Sequence, residues 1–415
     1  MTAAGSTRGG PDGSWVDVPA GSHFPVQNLP YGVFTRDGSE PRIGTRIGDL
    51  VLDLTAAERT GLLDAGGTLQ SPVLNDLMAL GRPAWTALRE RLTALLTNPR
   101  HRPGVQQLLS PVDSVRLRLP IEVADYVDFY SCREHAENAG RIFRPDVDQP
   151  LSPNWTWLPV GYHGRAGTVV ASGTPVVRPC GQRLVPGAAD PAYGPSLRLD
   201  VEAEVGFVVG VPSRLGEPVP AAEFADRVFG VLLVNDWSAR DLQFWEYQPL
   251  GPFLAKSFAT SVSPWVVPLD ALAAARVAGR EQDRPPLPYL RRHEPWGLDL
   301  ALELAINGAV VSRPRFAGMY WTPDQQLAHL TVNGAGTRTG DLYASGTVSG
   351  PEREQRGCLL ELTWGGAEPL TLPDGSTRAF LEDGDTVTIT ATAPGPDGVR
   401  IGFGEVSGRV EPARG

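Results

Sequence analysis

Gly and Pro interrupt this chain so often, at 47 and 39 of its 415 residues, that it cannot be built from long helices. Both residues break helices, and Gly supplies the positive φ of tight turns, so the spacing favours short strands joined by turns. No repeat of solenoid or propeller length accompanies the punctuation. Ser196–Gly210 alternates, with Leu197, Leu199, Val201, Ala203 and Val205 on one side and Arg198, Asp200, Glu202 and Glu204 on the other. Phe229–Val234 reads as a buried strand, and Leu298–Ile306, Leu359–Trp364, Thr386–Thr392 and Val399–Phe403 as further strands. Before these, short strands over Gly32–Phe34 and Arg42–Leu54 flank a turn at Asp37-Gly38. One amphipathic helix stands out, carrying Trp85, Leu88, Leu92, Leu95 and Leu96 at helical spacing until Pro99, Pro103 and Pro111 end the pattern. The expectation is a mainly β (α+β) chain: a frayed tail over 1–22, a first unit over 23–118 and a larger β-rich unit over 119–415.

Charge excludes whole classes of partner. With 37 basic against 47 acidic residues the net charge is −10, so neither nucleic acid nor an anionic membrane surface is expected to attract the chain. No apolar run approaches the roughly 18–20 residues of a membrane helix, and the first thirty residues lack a secretory apolar core. Cys132, Cys180 and Cys358 are odd in number and without metal or disulfide spacing, which predicts a reducing, cytoplasmic setting. The chain's only lysine is Lys256, among 36 arginines.

Lys256 lies in an apolar, Gly/Pro-shaped segment, Pro249–Thr260, where an ammonium needs an anion beside it. Candidate anions are at hand. Glu202 and Glu204 stand two apart and share a strand face roughly 6.5–7 Å apart; taken alone they read most simply as a solvated face, and otherwise as a pair converging on a cation. Asp236 ends a buried-type strand, where a carboxylate must be solvated, hydrogen-bonded or neutralised; alternatively Asn235 or Asp236 caps the helical segment that follows. Ser131 and Glu134 have capping-box spacing, which puts Asp128 and Tyr130 in a loop and His135 in the first turns of a helix. An imidazole there stays neutral beside the helix N-terminus and can take a proton from water; the plainer reading is a packed histidine. His163, flanked by glycines, reads as a structural residue in a tight turn. Asp128, Glu202, Glu204 and Asp236 are all hard oxygen donors, a set that selects Ca²⁺ or Mg²⁺ over Zn²⁺. No nucleophile elbow, phosphate-binding loop or dinucleotide fingerprint is evident.

Several long segments, in order along the chain, together resemble the fumarylacetoacetase family: Asp125-Tyr-Val-Asp-Phe-Tyr-Ser-Cys-Arg-Glu-His135, Pro153-Asn-Trp, Leu158-Pro-Val-Gly-Tyr-His-Gly-Arg165, Asn235-Asp-Trp-Ser-Ala-Arg-Asp241, Trp245–Phe258 and Ala344-Ser-Gly-Thr347. The similarity runs from Phe24 to Gly404. It implies an SH3-like β-barrel unit followed by a β-sandwich-roll that holds the site, a homodimer, and metal-dependent hydrolysis of the carbon–carbon bond of 4-fumarylacetoacetate to fumarate and acetoacetate. Matched motif to motif, the resemblance assigns Ca²⁺ to Asp128, Glu202, Glu204 and Asp236, and an associated Mg²⁺ to Lys256 and Thr260, with Mn²⁺ as an alternative. It makes His135 the base, oriented by Glu361, and matches Arg240 to a polar group beside the reacting carbonyl; Arg240, Gln243 and Lys256 are then expected to stabilise the oxyanion. Tyr130, Arg144, Gln243, Tyr247 and Thr347 match contacts to an acylacetoacetate. Cys132, one extra residue between Arg144 and Pro153, and Ala255 and Ala259 depart from the familiar pattern without removing a reacting group. Two rival readings are a hydrolase or decarboxylase of other β-diketones or acylpyruvates, against which residues 24–118 and His135 weigh, and a non-catalytic Ca²⁺-stabilised binding protein, in which Lys256 and His135 would be idle.

Overall fold

The computed structural model describes residues 13–36, 38–185 and 187–414. Short strands dominate it, in one 13-stranded sheet, one five-stranded sheet and several two-stranded ribbons. The strands that matter for the site are β1 (Tyr31–Thr35), β2 (Tyr126–Phe129), β3 (Gly161–His163), β4 (Ala203–Val209), β5 (Val228–Asp236), β6 (Thr260–Val262), β7 (Trp265–Pro268) and β8 (Leu342–Ala344). In the large sheet they run β1-β7-β5-β4-β8-β2-β3, with β6 pairing β5. Arg42–Ile47, Leu50–Asp53 and Leu109–Pro111 extend the sheet beyond β1.

The apolar run before Asp236 is continuous because β5 is covered on both faces. Val231 and Leu233 join one core and Leu232 and Val234 the other. The first core lies between the two sheets, where Leu302, Leu304, Val387, Ile389, Ile401 and Phe403 of the smaller sheet meet the large one. The second lies under the amphipathic helix, Arg82–Thr97, whose Trp85, Leu88, Leu92, Leu95 and Leu96 are all buried as expected. Leu92 is fully buried there. Leu92→Ala is expected to lower unfolding free energy by about 2–5 kcal/mol through lost burial and a residual cavity, read as a fall in the urea midpoint at unchanged slope.

Several expectations change. Residues 13–22 are not a loose tail, since Val16 and Val18 are buried in the helix-covered core and Trp15 Nε1 donates to the Leu95 carbonyl at 2.8 Å; residues 1–12 and Asp37 of the Asp37-Gly38 turn lie outside the described residues. β1 pairs with β7 at Tyr31↔Val266 and so joins the strands of the first unit to the main sheet. No closed barrel is found among the described residues. Leu197 is 67% exposed because the strand starts only at Leu199. Leu359–Trp364 is not a strand: Leu359–Leu362 form a short helical turn, α3 below, as the Leu359 and Leu360 amides turn inward onto Asp200 at 2.7 and 3.0 Å.

Candidate active site

The register of the large sheet gathers the acids. Side chains alternate along a strand, so Tyr126 and Asp128 of β2, Leu342 and Ala344 of β8, Glu204 of β4, Val234 and Asp236 of β5 and Thr260 of β6 share a face. Pairing sets Asp128 beside Ala344, Glu204 beside Val234 and Asp236 beside Thr260. Glu202, in the break just before β4, joins them. Carboxylate oxygens of Asp128, Glu202, Glu204 and Asp236 lie within 4.8 Å of one another, and all four residues are buried. The solvated face that Glu202 and Glu204 suggested alone is therefore excluded: neighbouring layers cover that side of the strand too.

Burial makes this cluster electrostatically costly. It lifts Asp128 well above the usual carboxylate range, helped chiefly by Asp236, and lifts Glu204 likewise, helped by Asp128 and Glu202. Asp236 is also raised by burial, against the pull of Lys256. Glu202 goes the other way: burial would raise it, but Lys256 and Arg240 outweigh that and hold it well below its ordinary value. Lys256 Nζ sits 2.6 Å from Glu202 Oε1 and 2.7 Å from Asp236 Oδ2. Arg240 is divided between Glu202 at 2.6 Å and Asp200 at 2.8 Å. One ammonium and a shared guanidinium leave the acids under-neutralised. Asp128 Oδ1 and both carboxylate oxygens of Glu204 are buried without a hydrogen-bond partner. An all-oxygen donor set of this span fits a hard dication, whose oxygen ligands lie at about 2.0–2.6 Å.

Lys256 and Thr260 reach the cluster through Asp236, with Thr260 Oγ1 donating at 3.1 Å. Burial would lower the Lys256 pKa, but Asp236 and Glu202 outweigh it and keep the side chain an ammonium. An ammonium has no lone pair for a metal, so Lys256 neutralises the carboxylates and offers no donor to an ion.

Across the same cavity stands the imidazole. Helix α1 (Arg133–Phe143) carries His135 in its first turn. The expected capping box does not form: Cys132 holds the cap position without a side-chain bond, Ser131 Oγ accepts from Gln326 at 2.7 Å, and Glu134 pairs with Arg280 at 2.5 Å. His135 Nδ1 is 2.7 Å from Glu361 Oε2, on the helical turn α3. Glu361 is itself pinned, Oε1 by Asn138 at 2.9 Å and Oε2 by Ser349 at 2.7 Å. Burial would raise this carboxyl, but the His135 charge and those hydrogen bonds outweigh it and hold it at about 2. With the ionised Glu361 against it, Nδ1 holds a ring proton toward that carboxylate, so in the neutral ring the lone pair is on Nε2. Thr347 Oγ1 lies 3.3 Å from Nε2 but gives its proton to Glu202 at 2.6 Å. Gly346 makes that reach possible, since its φ of +78° and close approach to the Phe129 carbonyl exclude a side chain.

Because the Glu361 pKa is depressed, its stabilisation is complete above the ordinary value of 4.5 and drains as pH falls toward about 2. Glu361→Gln is expected to flatten the loss of thermal stability over that window, measured by melting at stepped pH.

Asp128, Tyr130, His135, Arg144, Glu202, Arg240, Gln243, Tyr247 and Lys256 all line one cavity of about 440 Å³. Thr347 touches Glu202 and His135 behind it. A larger cleft, about 1510 Å³ between Arg46, Arg116, Trp265 and Arg315, contains none of the predicted site residues. Helix α2 (Arg240–Glu246) carries Arg240 and Gln243, which bond at 3.0 Å. Its cap is Ala239, so neither Asn235 nor Asp236 caps it; the Asn235 side chain instead accepts from the Glu202 amide at 3.2 Å. His163 lies outside the cavity as a largely exposed residue of β3 paired with Asp125 at 3.1 Å. The glycine after it serves close packing rather than a tight turn, since a Cβ on Gly164 would enter the Tyr126 ring.

Sequence reading missed Asp200, Asn138, Ser349 and Tyr162, whose hydroxyl donates to Asp236 at 3.3 Å. Asn138 was findable, three residues after His135 on the same helical face. Ser349 had no such signal.

Comparison with known proteins identifies the family. Residues 27–120 match the family model "Fumarylacetoacetase N-terminal" and residues 125–411 the model "Fumarylacetoacetate (FAA) hydrolase C-terminal". The chain is 48% identical over 416 residues to the fumarylacetoacetase of Homo sapiens, covering 96% of this chain and 99% of that one. It is 46% identical over 419 residues to that of Arabidopsis thaliana, covering 96% and 98%. Among solved structures, the fumarylacetoacetate hydrolase of Exiguobacterium antarcticum superposes with a TM-score of 0.54 at 17% identity, over 93% of this chain and all of that one, a likeness of fold. With both family models matched across nearly the whole sequence, this chain belongs to the fumarylacetoacetate hydrolase family.

Proposed function

We infer that this chain is a hydrolase of carbon–carbon bonds that cleaves 4-fumarylacetoacetate to fumarate and acetoacetate, the last step of tyrosine and phenylalanine breakdown. The observation that carries the reading is the meeting, at one cavity lined by Asp128, Glu202 and His135, of a buried four-carboxylate cluster and a His135–Glu361 pair. Near-full-length similarity to curated fumarylacetoacetases supports the substrate.

Asp128, Glu202, Glu204 and Asp236 would hold a hard dication, Ca²⁺ or Mg²⁺ with Mn²⁺ as the alternative, which would supply Lewis-acid polarisation of the substrate carbonyl. His135, oriented by Glu361, takes a proton from water at Nε2 as that water attacks the carbonyl. Arg240, whose Nη2 is buried without a partner, donates to the developing oxyanion together with Gln243 and Lys256. Breaking the carbon–carbon bond releases an enolate, and the imidazolium returns its proton to the departing carbon. Arg144 and Tyr247 face the substrate's remote carboxylate, for which a guanidinium offers a two-pronged donor; Tyr130 and Thr347 complete the contacts.

In this reading residues 23–118 are an SH3-like module opened where β1 continues into the large sheet, residues 119–415 are the catalytic β-roll, and two copies pair as a homodimer in the cytoplasm. The span of the two family models supports that division. No described helix is long and apolar enough to cross a membrane. The direct test is turnover of fumarylacetoacetate with added Ca²⁺ or Mg²⁺, following loss of the conjugated diketone in the ultraviolet and identifying fumarate and acetoacetate by NMR. Faster turnover of an acylpyruvate, or no consumption of either, would overturn it.

A further inference from the structure

Beside the dyad that activates water stands a thiol to which the proposed hydrolysis assigns no step. Cys358 Sγ lies 3.1 Å from Glu361 Oε2 and 3.9 Å from His135 Nδ1. The three side chains are buried, and their donor atoms fall within 4.8 Å of one another. Nitrogen, sulfur and oxygen donors converge here, whereas the acid cluster offers oxygen alone. We propose that His135, Cys358 and Glu361 form a second metal site, selective for a thiophilic dication of the Zn²⁺ or Cd²⁺ kind, whose occupation switches the enzyme off.

Three donors of this composition plus one open position are what such ions take, while Ca²⁺ and Mg²⁺ disfavour thiolate and imidazole. His135 lines the substrate cavity and gives the ion its way in. On binding, the Cys358 thiol releases its proton to solvent and the thiolate binds the ion. Glu361 Oε2 exchanges the ring N–H for the metal. The proton on Nδ1 leaves that nitrogen and reappears on Nε2, so Nδ1 can coordinate. An imidazole with its proton on Nε2 has no lone pair facing water, and general-base catalysis stops. Inhibition thus comes from reversing the tautomer that Glu361 enforces, not from displacing the hard dication.

The test uses the full chain with Mg²⁺ in excess and Cd²⁺ as the probe. Titration is expected to raise a sulfur-to-cadmium charge-transfer band in the ultraviolet, to abolish turnover in parallel, and to reverse with chelator and fresh Mg²⁺. Cys132→Ser keeps both effects. Cys358→Ser and Cys358→Ala lose the band and, for the same inhibition, need Cd²⁺ raised by more than the roughly 10–100-fold that loss of an outer-sphere partner costs. A band that survives in both Cys358 variants, or inhibition at unchanged Cd²⁺, overturns the proposal and assigns the effect to another cysteine or to the acid cluster. The band is read independently of turnover. A chain that binds Cd²⁺ through Cys358 yet hydrolyses no diketone would refute the hydrolase reading and leave this site standing.

Discussion

Turnover of a His135→Ala variant is expected to fall by about 10²–10⁴-fold, the range supplied by a positioned general base, while its affinity for the hard dication stays close to wild type. The asymmetry follows from the geometry. His135 gives no donor atom to the acid cluster, and its nearest link to it runs through Thr347 to Glu202. Its own partner, Glu361, is held independently by Asn138 and Ser349, so the carboxylate keeps its position when the ring is gone. Saturating the variant with Mg²⁺ or Ca²⁺ should therefore give a normal rise in melting temperature with little hydrolysis. Turnover within a few-fold of wild type would remove His135 from the mechanism. Glu361→Gln should sit between the two, because the amide can still touch the ring but no longer stabilises the imidazolium or fixes which nitrogen carries the proton.

Much of this site was legible because its residues break the rules of their surroundings. A lone lysine in an apolar segment and an acid ending a buried strand both demanded partners, and Lys256 and Asp236 turned out to be each other's. Period-two alternation then placed Glu202 and Glu204 on one face, but it could not say that the face was covered. That depends on pairing with strands more than a hundred residues away, such as β8 against β4 and β2. The same limit explains α3. Leu359 and Leu360 look like strand residues until Asp200, 159 and 160 positions earlier, draws their amides into a turn. That turn is what aims Glu361 at His135, so a local propensity was overridden at a place where orientation matters. The capping box failed for a related reason: Ser131 and Glu134 were claimed by Gln326 and Arg280 from distant segments, yet the helix still starts where His135 needs it.

Glu204→Gln separates the two jobs of the acid cluster and should affect them in opposite directions. Both oxygens of this buried carboxylate lack a hydrogen-bond partner, while burial and the like charges of Asp128 and Glu202 disfavour its ionised form. Without a dication, a neutral isostere relieves that repulsion, so the metal-free variant should melt no lower than metal-free wild type and higher at alkaline pH. The sign follows from linkage. A carboxyl raised in the fold binds its proton more tightly than in the unfolded chain, so it penalises folding once pH exceeds the unfolded value, and the amide has nothing to ionise. With a dication the order reverses. The variant loses one anionic oxygen donor of four, and its dication affinity should drop by more than the roughly 10–100-fold that loss of an outer-sphere partner costs. Turnover at limiting Mg²⁺ or Ca²⁺ falls with it and recovers in part at high concentration. Melting curves of both proteins, with chelator and with dication, across neutral to alkaline pH, decide the matter. If the variant is destabilised without metal and unchanged in dication affinity, Glu204 is a packing residue and the hard-cation site must be built without it.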